Sequence, residues 1–251
     1  MRNIKLTTIT LKSRDFKEKD RIITCISREW GKYDLMAKGV QKPLTKLSGI
    51  SSPITYSTLI VSNLKNLGTI SSCNIIESFT RLRSDLNALS HALYLLELTE
   101  KSTAEGCQCE EIFDTLLGAL YSFEKEVNPD LVTRFFEHNL INILGYNINT
   151  KTCLGCGKEL KEKIFYNMEF GGFFCENCVR NVINYIQFPN ALLSYIEALN
   201  KYNFQKLSNL TFPDKALDAL SKLYKTHLSY RIDRNINSLE FISQQKQITK
   251  N

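Results

Sequence analysis

The chain has 251 residues, of which 43% are hydrophobic and 23% are charged, and its formal net charge is +6. These values are typical of a globular protein with two or three small domains. The sequence contains no run of eighteen apolar residues and no long apolar segment near Met1, so we expect neither a membrane span nor a signal peptide. Eight cysteines without a secretory signal favour the reducing cytoplasm.

Positive charge is concentrated in the N-terminal third of the chain. Residues 1–80 hold 13 Lys and Arg against 6 Asp and Glu, a surplus of seven, whereas residues 81–251 hold 19 and 20. A surplus confined to one part of a chain indicates a polyanionic partner for that part. Charge alone leaves open the alternative that this surface is merely solvated.

Five short β-strands are predicted in the same N-terminal third. β-branched residues with rough alternation place them at residues 4–11, 21–26, 33–37, 53–61 and 67–76, with a turn over residues 29–32. Five strands are the number that forms an OB-fold barrel. We therefore predict an OB-fold domain over residues 1–80.

From residue 84 the hydrophobic period becomes helical. A first helix is predicted behind an N-cap at Ser84, with an apolar stripe of Leu86, Leu89, Leu93 and Leu96. Further helices are predicted over residues 110–123, from a cap at Asn128 to a stop at Gly145, over about 189–201 and over 213–231. We assign these helices to a helical domain over residues 81–149 and 181–251, with a frayed polar tail after Ser243.

Two cysteine pairs interrupt the helical domain. Cys153 and Cys156 are followed, after eighteen residues, by Cys175 and Cys178. This spacing is typical of a four-cysteine zinc ribbon, and the residues between the pairs predict a β-hairpin over 163–174. Two disulfides are the alternative, but they would require an oxidising compartment. Because four thiolates fill the coordination sphere of zinc, we predict a structural site over residues 150–180 and no catalysis at the metal.

Common catalytic motifs are absent from the sequence. It contains no phosphate-binding P-loop, no G-x-S-x-G and no H-E-x-x-H. The three histidines, His91, His138 and His227, lie far apart in the sequence and are predicted to be packing or surface residues. We therefore expect a binding protein and no enzyme.

The barrel, the helices and the inserted ribbon resemble, in that order, the RecO family of bacterial recombination mediators, specifically its zinc-bearing branch. Nearly the whole chain shares the resemblance. The segments that carry it are Asp15–Asp20, Trp30–Lys32, Ala37–Pro43, Arg134–Glu137, Leu144–Tyr146, Gly171–Phe173 and Ser238–Phe241. The resemblance implies an α+β protein with an N-terminal OB-fold β-barrel and an α-helical domain into which the four-cysteine zinc ribbon is inserted.

The resemblance also implies an activity in the RecF pathway of DNA repair. Such proteins bind single-stranded and double-stranded DNA, anneal complementary strands and, with RecR, help to load RecA onto DNA coated by single-strand-binding protein (SSB). They also bind the acidic C-terminal tail of SSB. For this chain we expect a monomer on its own, associated with the nucleoid in the cytoplasm.

Several residues match positions with a role in the family. Arg134 matches a position beside the pocket for the SSB tail, although a surface salt bridge is the alternative. Trp30 or Tyr33 is a candidate to stack on a base, as aromatic residues of OB-folds do, although packing against the barrel or its turn is the alternative for both. Gln41 and Leu44 stand where basic residues are common, so other residues are expected to share phosphate binding. The predicted DNA-binding residues are Lys12, Arg14, Lys17, Lys19, Arg21, Lys38, Lys42 and Lys46.

Two other classes of protein fit the residues less well. A zinc-ribbon factor of transcription or translation would also be basic and non-catalytic, but it would bind specific sequences or a polymerase and would not anneal strands. A scaffold held together by zinc would bind no DNA.

Overall fold

The computed structural model describes residues 3–40, 47–62, 67–232 and Ser238. These residues pack as two compact units. The barrel unit extends through Glu126 and includes Ser238, and the ribbon unit begins at Val127. This division follows packing, whereas the predicted domains follow the type of secondary structure, so the predicted limits at residues 80, 150 and 180 stay a prediction.

The barrel unit opens with a closed five-stranded barrel. Its strands are β1 (Ile4–Phe16), β2 (Asp20–Ser27), β3 (Gly31–Ala37), β4 (Tyr56–Ser62) and β5 (Gly68–Glu77). The order around the barrel is β1-β2-β3-β5-β4, and only the short β3–β5 contact is parallel. The predicted OB-fold is therefore confirmed, with a first strand that continues to Phe16 instead of ending at Leu11.

Side chains along each strand point alternately into and out of the barrel, and the inward apolar side chains form its core. On β2 and β3 the inward residues Ile23 and Leu35 are fully buried and lie opposite each other in the register. Thr24 and Asp34, one residue further along, are paired on the opposite face. Because a slip of one residue would exchange these two faces, burial of the apolar set fixes the register.

Three helices complete the barrel unit: α1 (Thr80–Ser84), α2 (Leu86–Ser102) and α3 (Glu110–Glu124). The predicted N-cap was wrong by one residue, because Asp85 accepts the hydrogen bonds from the N–H groups of Asn87 and Ala88.

The predicted apolar stripe of α2 was partly wrong: Leu96 is buried and Leu89 is half-buried, but the other two leucines are exposed. Leu86 is 63% exposed and Leu93 is 38% exposed, whereas Ala88, Ala92 and Leu95 are buried. The buried face of α2 is lined partly by small residues, which allow its backbone to lie close to α1, α3 and β1.

Lys32 joins the barrel to the C-terminal end of α2. Its Nζ donates to the carbonyl oxygen of Glu100 at 2.6 Å and to that of Thr103 at 2.5 Å. A cation at this position satisfies carbonyl groups that have no partner within the helix and opposes the negative end of the helix dipole. Lys12 adds an ion pair with the Glu100 carboxylate at 3.2 Å.

The ribbon unit combines three helices with a three-stranded antiparallel sheet. Its elements are α4 (Pro129–Ile143), β6 (Lys163–Asn167), β7 (Gly172–Cys175), β8 (Tyr185–Pro189), α5 (Ala191–Leu199) and α6 (Asp214–Arg231). The sheet has the order β7-β6-β8. The predicted hairpin is confirmed, and the helix predicted over about 189–201 is present as α5, which begins two residues after Pro189 because Pro189 itself ends β8.

The two ends of α4 follow the sequence signals. Asn128 caps the helix by accepting from the N–H of Leu131, and Pro129 occupies the first turn. After Ile143 the chain turns at Gly145, whose φ is +79°, and the N–H of Tyr146 returns to the carbonyl of Ile141. Both predicted ends are confirmed.

Two further predictions concern the C-terminus and membranes. The predicted frayed tail after Ser243 lies outside the described residues. Within the described ranges, no helix combines the length and the apolar character needed to cross a lipid bilayer.

Candidate metal centre and nucleic-acid interface

The four ribbon cysteines converge on one point. The sulfur atoms of Cys153, Cys156, Cys175 and Cys178 all lie within 4.8 Å of one another, and those of Cys156 and Cys175 are 3.9 Å apart. Sulfurs bound about 2.3 Å from a tetrahedral ion are roughly 3.8 Å apart. The cluster therefore has the dimensions of a four-thiolate metal site, and the predicted grouping of these residues is confirmed.

Tight turns place the sulfurs. In the first pair, the N–H of Gly157 returns to the carbonyl of Cys153 at 2.9 Å, and Gly157 has a φ of +70°. Gly155 passes so close to the second pair that a Cβ on it would lie 2.8 Å from the Cβ of Cys178. Side chains larger than hydrogen at this position would push the two pairs apart.

Backbone N–H groups prepare the cluster for a cation. Burial acts to raise the pKa of Cys153, but N–H groups of Cys175, Cys156 and Gly155 point at its sulfur and lower that pKa to about 6. Contacts with Cys175 and Cys156 raise the pKa of Cys178 to about 12. Because four crowded thiolates repel one another, full ionisation of the cluster requires a bound cation.

The ribbon sheet is fixed to α6 through a buried pair of side chains. The hydroxyl of Tyr166 on β6 lies 2.5 Å from Nδ1 of His227, and both residues are at most 1% exposed. Burial, together with the positive charge of Arg231, lowers the pKa of His227 to about 4. His227 is therefore neutral in the folded protein at ordinary pH, and the prediction of a packing histidine is confirmed for this residue.

The free energy of unfolding should fall as the pH drops below the ordinary His pKa of about 6.5. In this range His227 binds a proton in the unfolded chain but stays neutral in the folded protein. Between pH 7 and pH 5 we expect His227 to account for a loss of about 2 kcal/mol in the free energy of unfolding. Urea denaturation at both pH values, with zinc present, measures the loss. The variant His227→Gln should show a smaller difference between the two pH values by that amount, and an equal difference in both proteins would refute the assignment.

Three exposed lysines gather at one end of the barrel. Lys17 and Lys19 lie in the β1–β2 turn, and Lys38 directly follows β3. The N–H of Gly39 donates to the carboxylate of Asp20 at 2.8 Å and so holds the two segments together. No ion pair neutralises these three lysines among the residues that the structure describes. We call them the lysine cluster.

The other predicted basic residues of the strands have acidic partners. Arg14 pairs with Asp34 at 3.0 Å and Arg21 with Asp15 at 2.8 Å, while Lys12 pairs with Glu100 as described above. Their charges are thus partly compensated, so they attract a phosphate less than the lysine cluster does. Lys42 and Lys46 lie outside the described residues.

The two candidate stacking residues differ in position. Trp30 is 44% exposed but lies in the β2–β3 turn, at the end of the barrel opposite to the lysine cluster. Tyr33 is half-buried and packs against the barrel core. The structure therefore does not bring either aromatic residue together with the lysine cluster.

Comparison with known families covers almost the entire chain. A model described as recombination protein O, N terminal, matches residues 1–79, and one described as recombination protein O, C terminal, matches residues 83–240. The chain belongs to the RecO family. The resemblance in the sequence motifs is thereby confirmed.

Relatives match at full length. The DNA repair protein RecO of Desulforamulus reducens is 28% identical over 243 residues, which are 96% of this chain and 94% of that protein. The DNA repair protein RecO of Acetivibrio thermocellus is 28% identical over 246 residues, which are 96% of this chain and 97% of that protein. The DNA repair protein RecO of Pelotomaculum thermopropionicum is 29% identical over 242 residues, which are 96% of this chain and 94% of that protein.

Arg134, which the RecO resemblance assigned to the SSB tail, is buried. Its side chain is 2% exposed, and its Nη1 lies 2.8 Å from Oε2 of Glu137, which is fully buried. Tyr224 is close enough for both charges to influence its pKa, which burial raises well above the ordinary value. The alternative of a surface salt bridge is therefore wrong, and the role in tail binding stays a prediction.

The ribbon unit contains a cavity of about 300 Å³ that was not predicted from the sequence. Its walls include His138 from α4, Asn200 after α5 and Tyr224 from α6. His138 bonds to both of these residues at 2.9 Å, and burial lowers its pKa. Since these residues are far apart in the chain and none belongs to a recognised motif, no sequence signal indicated the cavity.

Proposed function

We propose that this RecO-family protein is a recombination mediator of DNA repair that acts without catalysis. Its barrel would hold DNA through phosphate contacts of the lysine cluster, and it would anneal complementary strands. The observation that carries the proposal is a group of three exposed lysines, without an ion pair among the described residues, at one end of an OB-fold barrel in a chain whose relatives are named DNA repair proteins. Contacts with phosphates give affinity without base sequence.

The metal is proposed to be zinc with a structural role. Four thiolates in a tetrahedral arrangement are typical of structural zinc sites, and none of the four positions is left for a substrate. Zinc would neutralise the crowded sulfurs and hold Cys153 and Cys156 against Cys175 and Cys178. These residues contribute only to folding of the ribbon.

Partners are proposed from the family alone. With RecR, the protein would help to load RecA onto SSB-coated DNA, and Arg134 would support the site for the SSB tail. We expect a monomer that joins these partners at the nucleoid.

Replacing Lys17, Lys19 and Lys38 together with alanine should weaken binding to single-stranded DNA and make it less sensitive to salt. Each lost phosphate contact reduces the slope of log affinity against log salt by about 0.7, so the triple variant should lose a slope of about 2. Fluorescence anisotropy of a labelled oligonucleotide over a range of salt concentrations measures this slope.

A matched triple variant supplies the control. Lys201, Lys206 and Lys215 are exposed lysines of the ribbon unit, and their replacement with alanine should leave the slope unchanged. Equal slopes in wild type and the first variant would remove the lysine cluster from the DNA site. Binding that depends on sequence and fails to accelerate annealing of SSB-coated strands would favour a zinc-ribbon transcription or translation factor.

A further inference from the structure

One arginine of the ribbon unit contacts two exposed tyrosine rings and the turn that carries an exposed phenylalanine. Tyr146, Phe170 and Tyr230 are 38%, 63% and 48% exposed, although they come from three separate parts of the chain. Together with Arg231 we call them the aromatic patch. Aromatic side chains this exposed lose the benefit of burial, and their grouping at one place indicates a surface that binds something.

The arginine connects the members of the patch. The Cζ atom of Arg231 lies 5.5 Å from the ring centroid of Tyr146 and 5.5 Å from that of Tyr230. Its Nη2 donates to the carbonyl oxygen of Glu169 at 3.4 Å, and Glu169 directly precedes Phe170 in the β6–β7 turn. The guanidinium is therefore held against two rings and the turn that carries the third.

Phe170, the third ring of the aromatic patch, is held in place by a neighbouring aromatic residue. The ring of Phe170 stands edge-on to that of Phe174, with centroids 5.6 Å apart. Phe174 belongs to β7 and is only 6% exposed, so it gives Phe170 a fixed support. Aromatic rings that are already fixed lose little conformational entropy when a ligand stacks on them.

The charge of Arg231 lacks a carboxylate partner within the described parts of the chain. The hydrogen bond from its Nη2 goes to a backbone carbonyl, and its buried Nε has no hydrogen-bond partner there. A positive guanidinium between exposed flat rings matches a ligand that carries both negative charge and π-faces. Unpaired nucleic acid has both properties, since its bases stack on aromatic side chains and its phosphates are anionic.

We propose that the aromatic patch binds a second, unpaired nucleic-acid strand while the barrel holds the first. This inference rests on the proposed function, because a protein that holds two strands at once would bring them together for annealing. Bases of the second strand would stack on Phe170 and Tyr230, and Arg231 would contribute charge. Stacking tolerates any base, so the patch would accept strands of any sequence.

The test uses the full-length, zinc-loaded protein and the double variant Phe170→Ala, Tyr230→Ala. Arg231 is kept because its contacts hold the β6–β7 turn. One fluorescent strand is bound first, and a second, non-complementary strand with an acceptor dye is then titrated. We expect the affinity for the first strand to stay within about twofold of wild type. Capture of the second strand should fall about tenfold or more, since two stacking positions are lost, and so should the rate of annealing in a parallel titration with a complementary second strand.

Two further variants make the result specific. Ile183→Ala removes an apolar side chain of the same unit that is 74% exposed and lies outside the patch, and it should behave as wild type. Tyr230→Phe keeps the ring and loses the hydroxyl, so it should retain capture of the second strand. Thermal melting of each variant confirms that it is folded.

Different failures point to different proposals. A wild-type protein that binds no first strand would overturn the proposed function. Equal capture of the second strand by wild type and the double variant would overturn the aromatic patch alone. So would a double variant that captures the second strand normally but no longer binds RecR or SSB, because the patch would then be a protein interface.

Discussion

Replacing Arg134 with alanine should lower the free energy of unfolding by about 3–5 kcal/mol. The reason is Glu137, which is fully buried and pairs with Arg134 at 2.8 Å. Without the guanidinium, the buried carboxylate loses the positive charge that lies 2.8 Å from it, and burial makes this loss costly. Urea denaturation of wild type and variant measures the loss.

The double variant Arg134→Met, Glu137→Leu is the matched control. It removes both charges and keeps most of the packed volume, so it should recover most of the lost stability. Single and double variants that are equally unstable would show that the packing of Arg134, and not the broken ion pair with Glu137, explains the loss. The double variant also tests tail binding, because it lacks Arg134 but is expected to stay folded. Unchanged affinity for an SSB tail peptide would remove Arg134 from that site.

Removing the metal should be the most damaging change to the ribbon. Structural zinc sites in small peptides contribute an apparent free energy of about 10–16 kcal/mol, which the ribbon would lose. We expect one zinc per chain, a clear fall in melting temperature after complete chelation, and the same fall for Cys156→Ser. Hydrogen exchange should show the loss of protection first around residues 150–175.

Cys107 provides the comparison for the metal prediction. It is an exposed thiol outside the four-cysteine cluster, so Cys107→Ser should melt as wild type and keep its zinc. If the zinc-free protein melted at the same temperature as the loaded protein, the metal would have no structural role.

The sequence allowed prediction of the features that depend on local patterns. The barrel strands followed alternation, the cysteine pairs followed a fixed spacing, and the cap at Asn128 followed from three neighbouring residues. In each case the physical cause acts within a few residues or is fixed by the chemistry of one ligand. Such causes can be recognised without knowledge of the packing.

Features that depend on packing escaped prediction. On α2 the predicted stripe included Leu86 and Leu93, which are exposed, and omitted Ala88 and Ala92, which are buried. Strand β8 offers only Ile186 and Phe188 as inward residues, so this strand before α5 went unpredicted. The aromatic patch unites Tyr146 with residues more than twenty positions away, and no pattern in the sequence joins them.

The predicted DNA site shows an intermediate case. The surplus of positive charge over residues 1–80 was visible, but the sequence could not tell which charges are free. Arg14 pairs with Asp34 on β3, and Lys12 pairs with Glu100 on a helix that is distant in the sequence. Only the folded chain separates these compensated residues from Lys17, Lys19 and Lys38.

The two hydrogen bonds of Lys32 affect where an N-terminal fragment of this protein can end. The matched N-terminal family region ends at residue 79, but Lys32 depends on carbonyl groups of Glu100 and Thr103. A fragment cut at residue 80 would leave this ammonium without its acceptors and uncover the side of the barrel that faces α2. The matched family region and the compact unit thus have different ends. A fragment that reaches Glu126 keeps both carbonyl acceptors but lacks Ser238, whose N–H and hydroxyl bond the carboxylate of Glu97.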